Sequence, residues 1–187
     1  MADALPLPLR SQRLTYRALT EDDFEVHQRL FSDPEVVRYL FDEVLDEERV
    51  RAHLVRRLWR GLGTAGEWAN LAVCHGGRVI GEIGIELTSE VHFSCEIGYV
   101  FVPGVQGQGF ATEAARVAVD VAMTFHRAHR VLARLDARNL DSARLLTRLG
   151  MRQEGHFREN EFVKGEWTDE VVFAVLSNEW AVTTDFS

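Results

Sequence analysis

The chain has 187 residues, of which 46% are hydrophobic and 27% charged, with a formal net charge of −8 and an isoelectric point of about 5.4. These proportions are those of a folded protein with a sizeable core, and they disfavour a disordered chain. No apolar run is long enough to span a membrane, and residues 1–10 lack the pattern of a secretory signal. The excess of negative charge disfavours nucleic acid as a partner, because that binding needs clustered cations.

The chain contains no repeat, low-complexity tract or long linker, so we expect a single domain over residues 1–187, with residues 1–10 loosely ordered. Cys74 and Cys95 fall in predicted strands and are interpreted as buried thiols in a reducing, cytoplasmic compartment. A disulfide between them stays an alternative if the two strands are neighbours.

The first third of the chain is predicted to form a strand and three helices. Residues 13–18 alternate as a strand, and Thr20 with the acidic residues after it marks a helix start. Pro34 ends that helix and can open a short second one towards Leu40. A third helix is expected over residues 46–60, stopped by Gly61.

The rest of the chain alternates between strands and helices. Strands are predicted over residues 68–75, 78–87, 94–102, 130–137, 151–157, 162–164 and 171–176, and helices over residues 111–125 and 139–149. This order indicates an α/β (mixed α+β) fold, with a central, mostly antiparallel mixed sheet of about six to seven strands flanked by helices.

The glycine-rich segment between the third of these strands and the helix after it suggests a ligand site. Gly104, Gly107 and Gly109 lie in the loop, and the free N–H groups at the start of the helix suit a phosphate. The loop lacks the Gly-Lys-Ser/Thr ending of a P-loop, and Thr112 stands where a dinucleotide fingerprint needs glycine. An ordinary structural connection stays the alternative.

Four segments, in this order, resemble the GNAT superfamily of acyl-CoA-dependent N-acyltransferases. Residues 106–111 (Gln-Gly-Gln-Gly-Phe-Ala) are similar to the family's Gln/Arg-x-x-Gly-x-Gly/Ala signature, and residues 96–100 (Glu-Ile-Gly-Tyr-Val) resemble its splayed central strand. Residues 139–142, followed by Gly150, resemble its later helix and the stop of that helix. Residues 155–158 and 164–169 are similar to the branch that contains the alanine N-acetyltransferases of ribosomal proteins.

The resemblance implies acetyl-CoA as cosubstrate and assigns residues to it. The strand backbone is expected beside the acyl group and pantetheine, the loop amides around the pyrophosphate, and the later helix at the pantetheine amide. These cofactor residues are Tyr99, Val100, Phe101, Val102, Gln106, Gly107, Gln108, Gly109, Phe110, Ala111, Thr112, Asn139 and Ser142. Asn139 also reads as a plain helix cap.

The resemblance also implies catalytic roles for Glu96 and Ser142. Glu96 is the candidate general base, with Glu82, Glu159 and Glu161 as weaker alternatives or selection of an already neutral amine instead of a base. Ser142 is the candidate acid for the departing thiolate, because the position at which many relatives carry tyrosine is Leu146 here. His156 is a possible substrate contact. No metal site is expected, because no Cys or acid completes a ligand set with the spaced pair His126 and His129.

The acceptor predicted from the resemblance is an amine, either a protein N-terminus or a small molecule, and a homodimer is an option. Three alternatives stay open. The chain could be a non-catalytic acyl-CoA sensor, which the leucine at position 146 favours; it could use a donor longer than acetyl; or the glycine loop could serve a nucleotide-binding enzyme, against which the missing lysine argues.

Overall fold

A computed structural model describes residues 5–186 of the chain. Its eight strands form one sheet in the order β1-β2-β3-β4-β5-β6-β8-β7. The strands are β1 Leu9–Arg10, β2 Thr15–Ala18, β3 Trp68–His75, β4 Arg78–Ser89, β5 Ser94–Phe101, β6 Arg130–Asp136, β7 Arg152–Val163 and β8 Glu166–Leu176. The helices are α1 Phe24–Phe31, α2 Pro34–Val37, α3 Glu47–Arg57, α4 Phe110–Phe125 and α5 Leu140–Leu149, with short 3-10 turns at Glu21–Asp23 and Ser177–Glu179.

Apolar side chains at successive strand positions pack on opposite faces of the sheet. Ile83 and Ile97 lie in the larger core cluster with the α4 residue Ala118. Val100 instead belongs to a second cluster with Phe31 of α1 and other residues from α1 to α3. Successive strand residues point to opposite faces, so the sheet separates α4 from the layer formed by α1–α3. The expectation of a mixed, mostly antiparallel sheet flanked by helices is confirmed.

One neighbouring pair of strands is parallel, and it is short. β5 and β6 pair only over Ser94, Cys95 and Glu96, although β5 continues for five further residues to Phe101 and β6 to Asp136. The two strands therefore diverge towards their carboxyl ends. Every other neighbouring pair in the sheet is antiparallel.

Several predicted boundaries are corrected by the structure. α2 ends at Val37 and does not reach Leu40. α3 ends at Arg57 and not at Gly61, because Leu58 has a φ of −57° and a ψ of 139°, which are not helical. The three separate pieces predicted after residue 150 are instead one long hairpin, β7 and β8. Its register shift between Phe157 and Glu161 and the positive φ of Glu159 interrupt the alternation that a sequence pattern needs.

The amino-terminal segment is more ordered than predicted, and the carboxyl-terminal segment is held by side-chain contacts. Leu9 is buried and belongs to β1, whereas residues 1–4 of the segment expected to be loose lie outside the described residues. Near the carboxyl end, the buried carboxylate of Asp120 in α4 accepts a 2.6 Å hydrogen bond from Trp180 Nε1 and four more from the backbone and hydroxyl groups of Thr183 and Thr184. These bonds attach the last described segment to α4.

Two further sequence expectations concern the cysteines and membrane insertion. Cys74 and Cys95 are both buried and free, so the structure has no disulfide bond between them. Among the described residues, no helix has the length and apolar character needed to cross a membrane.

Candidate active site

The divergence of β5 from β6 leaves backbone groups without a neighbouring strand. The amide of Val102 donates to the carbonyl of Ile80 in a 3.0 Å hydrogen bond and is therefore already used. Neighbouring residues of a strand direct their backbone groups to opposite sides, so the amides of Tyr99 and Phe101 point into the gap. Of the predicted acyl-binding strand, these two amides are the ones placed to meet a ligand.

The glycine loop that follows β5 forms an open cradle at the start of α4. Gly104, Gly107 and Gly109 have φ values of 86°, 73° and 78°, a region that side chains disfavour. The first amide of α4 that bonds within the helix is that of Glu113, which donates to the Gly109 carbonyl at 3.0 Å. The amides before it have no acceptor inside the helix and suit an anion. They belong to Phe110, Ala111 and Thr112.

Arg13 braces this loop from the other end of the chain. Its Nε donates to Oε2 of Glu113 at 2.8 Å, and its Nη1 donates to the carbonyl of Gln108 at 2.8 Å. A Cβ added at Gly109 would lie 3.4 Å from Nη2 of the same arginine. The contact neutralises the carboxylate of Glu113 beside the helix N-terminus and brings a guanidinium to the cradle, which favours an anionic ligand.

The loop side chains have different placements. Gln106 and Gln108 are exposed, and Gln108 Nε2 donates to the carbonyl of Gly104 at 3.3 Å. Phe110 is turned into the core, where its ring lies 4.6 Å from that of His75. Phe110 therefore offers its backbone amide to the cradle and not its ring.

The gap opens into a cavity of about 400 Å³ that is bounded by the sheet, α1, α3, α5 and the segment after α2. One part is lined by residues of β5 and α5, among them Tyr99, Asn139, Ser142 and Leu146. The other part is lined by Phe31, Tyr39, Asp42, Arg57, Trp68, Glu82 and Glu96. Most of the residues predicted from the resemblance, apart from the loop, therefore lie along one continuous space.

Glu96 lies in the cavity wall and is held by an arginine. Nε of Arg134 donates to both carboxylate oxygens, at 3.1 and 3.0 Å, and Nη1 of Arg134 lies 3.6 Å from Oε2 of Glu170. Burial raises the pKa of Glu96, Arg134 acts in the opposite direction, and the nearby carboxylates of Glu86 and Glu170 raise it further. Burial also raises the pKa values of Glu86 and Glu170.

Ser142 and Asn139 lie together at the start of α5. The side-chain oxygen of Asn139 accepts a 3.1 Å hydrogen bond from the amide of Ser142, which confirms the predicted cap. Burial raises the pKa of Tyr99 to about 12, and the side chain of Ser142 acts on that phenol in the opposite direction. Leu146 is fully buried beside them in the cavity wall.

The weaker candidates in the last hairpin are spread apart. His156 Nε2 lies 2.7 Å from Oδ2 of Asp169, both on the exposed side of the hairpin. Glu159 is exposed, and its amide donates to the same aspartate at 2.9 Å. Glu161 is half-buried and close enough to Arg134 and Glu170 to act on their pKa values.

Sequence reasoning missed Arg13, Arg134 and the phenol of Tyr99 as parts of the site. Arg13 is 100 positions from Glu113 and Arg134 is 38 positions from Glu96, and no local pattern links such residues. A signal was available for Tyr99, because the acid missing at Leu146 could have prompted a search for another hydroxyl nearby. The resemblance implies a role for the backbone of Tyr99 and none for its phenol.

Comparisons with known proteins agree with this geometry. The family model described as acetyltransferase (GNAT) domain matches residues 13–152. An N-acetyltransferase of Bacillus licheniformis, p20, is 30% identical over 177 residues, covering 92% of this chain and 98% of its own length. A solved GNAT-family acetyltransferase from Bacillus anthracis is 28% identical with a TM-score of 0.81, covering 92% of this chain and all of its own.

A third relative bears on the branch suggested by residues 155–158 and 164–169. The alanine N-acetyltransferase of ribosomal protein uS5 from Escherichia coli is 31% identical over 87 residues, covering 46% of this chain and 45% of its own length. The family model covers most of the chain and the p20 relative nearly all of it. The chain therefore belongs to the GNAT family of N-acetyltransferases.

Proposed function

We propose that the protein transfers an acetyl group from acetyl-CoA to a cationic primary amine, by direct attack within a ternary complex. One observation carries the proposal: β5 and β6 diverge beside an acidic cavity, and the glycine cradle follows the carboxyl end of β5. The cradle suits a pyrophosphate, and the free amides of Tyr99 and Phe101 suit the thioester arm and its carbonyl oxygen. Cys74 and Cys95 are buried away from this path, which agrees with transfer without a covalent enzyme intermediate.

The charge of the cavity favours an amine as acceptor. Its wall carries the carboxylates of Asp42, Glu82 and Glu96 against the guanidinium groups of Arg57 and Arg134. Two further buried carboxylates, Glu86 and Glu170, act on Glu96 from beside the wall. A primary amine arrives as an ammonium ion, which this negative field attracts. The amine must lose a proton before it attacks, and a buried carboxylate of the wall can take that proton.

The departing thiolate needs a proton donor on the α5 side of the cavity. We extend the acid role predicted for Ser142 to the pair formed by Ser142 and Tyr99. The raised pKa of Tyr99, about 12, keeps its phenol protonated and able to donate. Tyr99 lies in the cavity wall beside Leu146. The pair of Tyr99 and Ser142 can therefore donate the proton that a tyrosine at position 146 donates in relatives.

The first test is thermal unfolding of the protein with saturating acetyl-CoA, and with ATP and NAD as controls. A ligand that binds the folded state alone at about 100 times its Kd adds about 2.7 kcal/mol, enough to raise Tm by several degrees. A shift with acetyl-CoA alone supports the proposal. A shift with ATP or NAD instead, or no shift, contradicts the assignment of the loop.

The second test measures release of free CoA thiol with an amine panel and with donors of different chain length. Alaninamide represents a protein N-terminus and 1,4-diaminobutane a small polyamine, so the faster of the two identifies the acceptor class. Similarity to the uS5 alanine acetyltransferase, over 45% of its length, supports the N-terminus. Acetyl-CoA binding without turnover on the panel points to an acyl-CoA sensor. Faster turnover with a longer acyl-CoA shows that the transferred group is that longer acyl group and not acetyl.

The proposal includes a cytoplasmic location, with which the two free thiols agree.

A further inference from the structure

A row of four polar side chains runs from α3 through α1 to the cavity wall. Nη1 of Arg57 lies 3.5 Å from Nε2 of His53, Nδ1 of His53 lies 2.9 Å from Nε2 of His27, and Nδ1 of His27 lies 2.5 Å from Oε1 of Glu82. His27 is 0% exposed and Glu82 is 2% exposed. Among residues 5–186 no group of three or more His, Cys, Asp and Glu side chains is placed to hold a metal ion, so this row is a chain of hydrogen bonds.

The direction of the row follows from Arg57. A guanidinium can only donate, so Nε2 of His53 accepts and its Nδ1–H donates to Nε2 of His27. Nδ1–H of His27 then donates to Oε1 of Glu82. Burial, with help from the nearby charge of Arg57, lowers the pKa of His53 to about 3, which agrees with a neutral ring carrying a single N–H. The row therefore delivers one N–H to one carboxylate oxygen.

The other oxygen of Glu82 is left open. Within residues 5–186, Oε2 is buried and accepts no hydrogen bond; Nε of Arg57 forms an ion pair with it at 3.5 Å and also makes no hydrogen bond there. Both residues line the cavity. Glu96, the other buried glutamate in the wall, has both oxygens occupied by Arg134. A buried acceptor without a donor is costly, and a ligand that donates to it removes the cost.

The wall beside Glu82 supplies an aromatic face. The ring of Trp68 lies across two facing glycines of β4 and β5: a Cβ added at Gly84 would be 2.7 Å from Cε3, and one added at Gly98 would be 3.4 Å from Cζ3. Gly84 is two positions from Glu82 on the same face of β4, and Trp68 lines the same cavity. A carboxylate oxygen next to an indole face is a combination that binds ammonium groups.

We propose that Oε2 of Glu82 receives the ammonium group of the acceptor and takes its proton, with His27 and His53 as positioning residues. One proton leaves the ammonium nitrogen and forms the O–H bond of the Glu82 carboxylic acid, which leaves a neutral amine with a free electron pair. Glu82 lies directly opposite Val100 in the β4–β5 register, so that amine stands next to the acyl-binding strand. This inference rests on the proposed acetyl transfer.

The test titrates the free protein with butylammonium chloride, and separately with neutral 1-butanol at matched ionic strength. Binding is followed by the NMR signals of the Trp68 indole and the His27 ring. We expect butylammonium to bind, 1-butanol to bind at least tenfold more weakly, and Glu82→Gln to lose at least tenfold in butylammonium affinity. The matched variant Glu96→Gln keeps most of it. Absence of butylammonium binding, equal binding to Glu82→Gln, or a larger loss in Glu96→Gln overturns the inference.

Further variants at His53 and Trp68 distinguish a positioning role from a general loss of folding. His53→Phe removes the donor to His27 and is expected to weaken butylammonium binding several-fold, whereas His53→Gln, which keeps an N–H donor, restores part of it. Trp68→Leu leaves the row intact and is expected to weaken butylammonium several-fold, so the site is testable even if Glu82→Gln folds poorly. An unchanged affinity in both His53→Phe and Trp68→Leu overturns the arrangement. Acetyl-CoA binding by thermal shift and thiol release with the amine panel, both measured separately, show whether the proposed acetyl transfer itself fails.

Discussion

Nε of Arg134 lies 3.1 and 3.0 Å from the two carboxylate oxygens of Glu96, so the strand carboxylate predicted as general base is already bound on both oxygens. This pairing stabilises the ionised form, while burial and the neighbouring carboxylates favour the neutral one. Glu82 differs in that its Oε2 accepts no hydrogen bond within the described residues and meets only the Arg57 ion pair at 3.5 Å.

We therefore expect Glu96→Gln to lower kcat less than tenfold, and Glu82→Gln to lower it more than a hundredfold, with acetyl-CoA affinity nearly unchanged in both. The measurement is steady-state turnover of the amine identified in the panel, across pH 6 to 9. If Glu96→Gln instead abolishes turnover and flattens the pH profile, Glu96 is the base.

Gly109→Trp is expected to reduce CoA affinity by at least tenfold. Gly109 has a φ of 78°, which side chains disfavour, and an indole there meets Arg13 and fills the cradle. The measurement is Kd for CoA by calorimetry. Gly165→Trp is the matched control, because Gly165 has a φ of 80° with open space around it and lies in the β7–β8 turn. Equal losses in the two variants point to backbone strain rather than to the cradle.

Ser142→Ala and Tyr99→Phe are each expected to slow turnover about ten- to a hundredfold while Kd for acetyl-CoA changes little, because the two hydroxyls act on the departing thiolate. A double variant no slower than the worse single one supports a pair that acts as a unit. Full activity in Tyr99→Phe returns the acid role to Ser142 alone, and full activity in both variants removes the role from the pair.

Stability is expected to fall as pH drops below about 6.5, and His53 is one cause. The pKa of His53 is lowered from 6.5 to about 3 in the folded protein. Between these two values the unfolded chain binds a proton that the folded protein does not, so unfolding is favoured by up to about 1.4 kcal/mol per pH unit.

His53→Phe should remove this contribution. The measurement is the free energy of unfolding in urea at pH 5.0, 5.5, 6.0 and 6.5, compared between parent and variant, so that the carboxylates affect both proteins alike. His92→Gln, at an exposed turn position, should keep the parent slope. The same slope in His53→Phe contradicts the assignment.

The sequence allowed the order of the elements, the glycine cradle and the cap at Asn139 to be predicted, because each depends on residues close together in the chain. The same local rules failed where a long-range contact decides the structure. Asp120 fixes the segment after Trp180, which has no periodicity of its own. His27 falls within the first predicted helix, and no local pattern links it to Glu82, which is 55 positions away.

The bracing of the glycine loop by Arg13 has a consequence for how the protein is made. Arg13 and Glu113 are 100 positions apart, so during synthesis β2 leaves the ribosome well before α4 exists. At about 5–20 residues per second that delay is about 5–20 s. A nascent chain stopped before α4 lacks Glu113 and the first amides of the helix, so the cradle is incomplete and acetyl-CoA cannot protect it. Rescue of folding by the cosubstrate is thus confined to chains elongated beyond the first turn of α4.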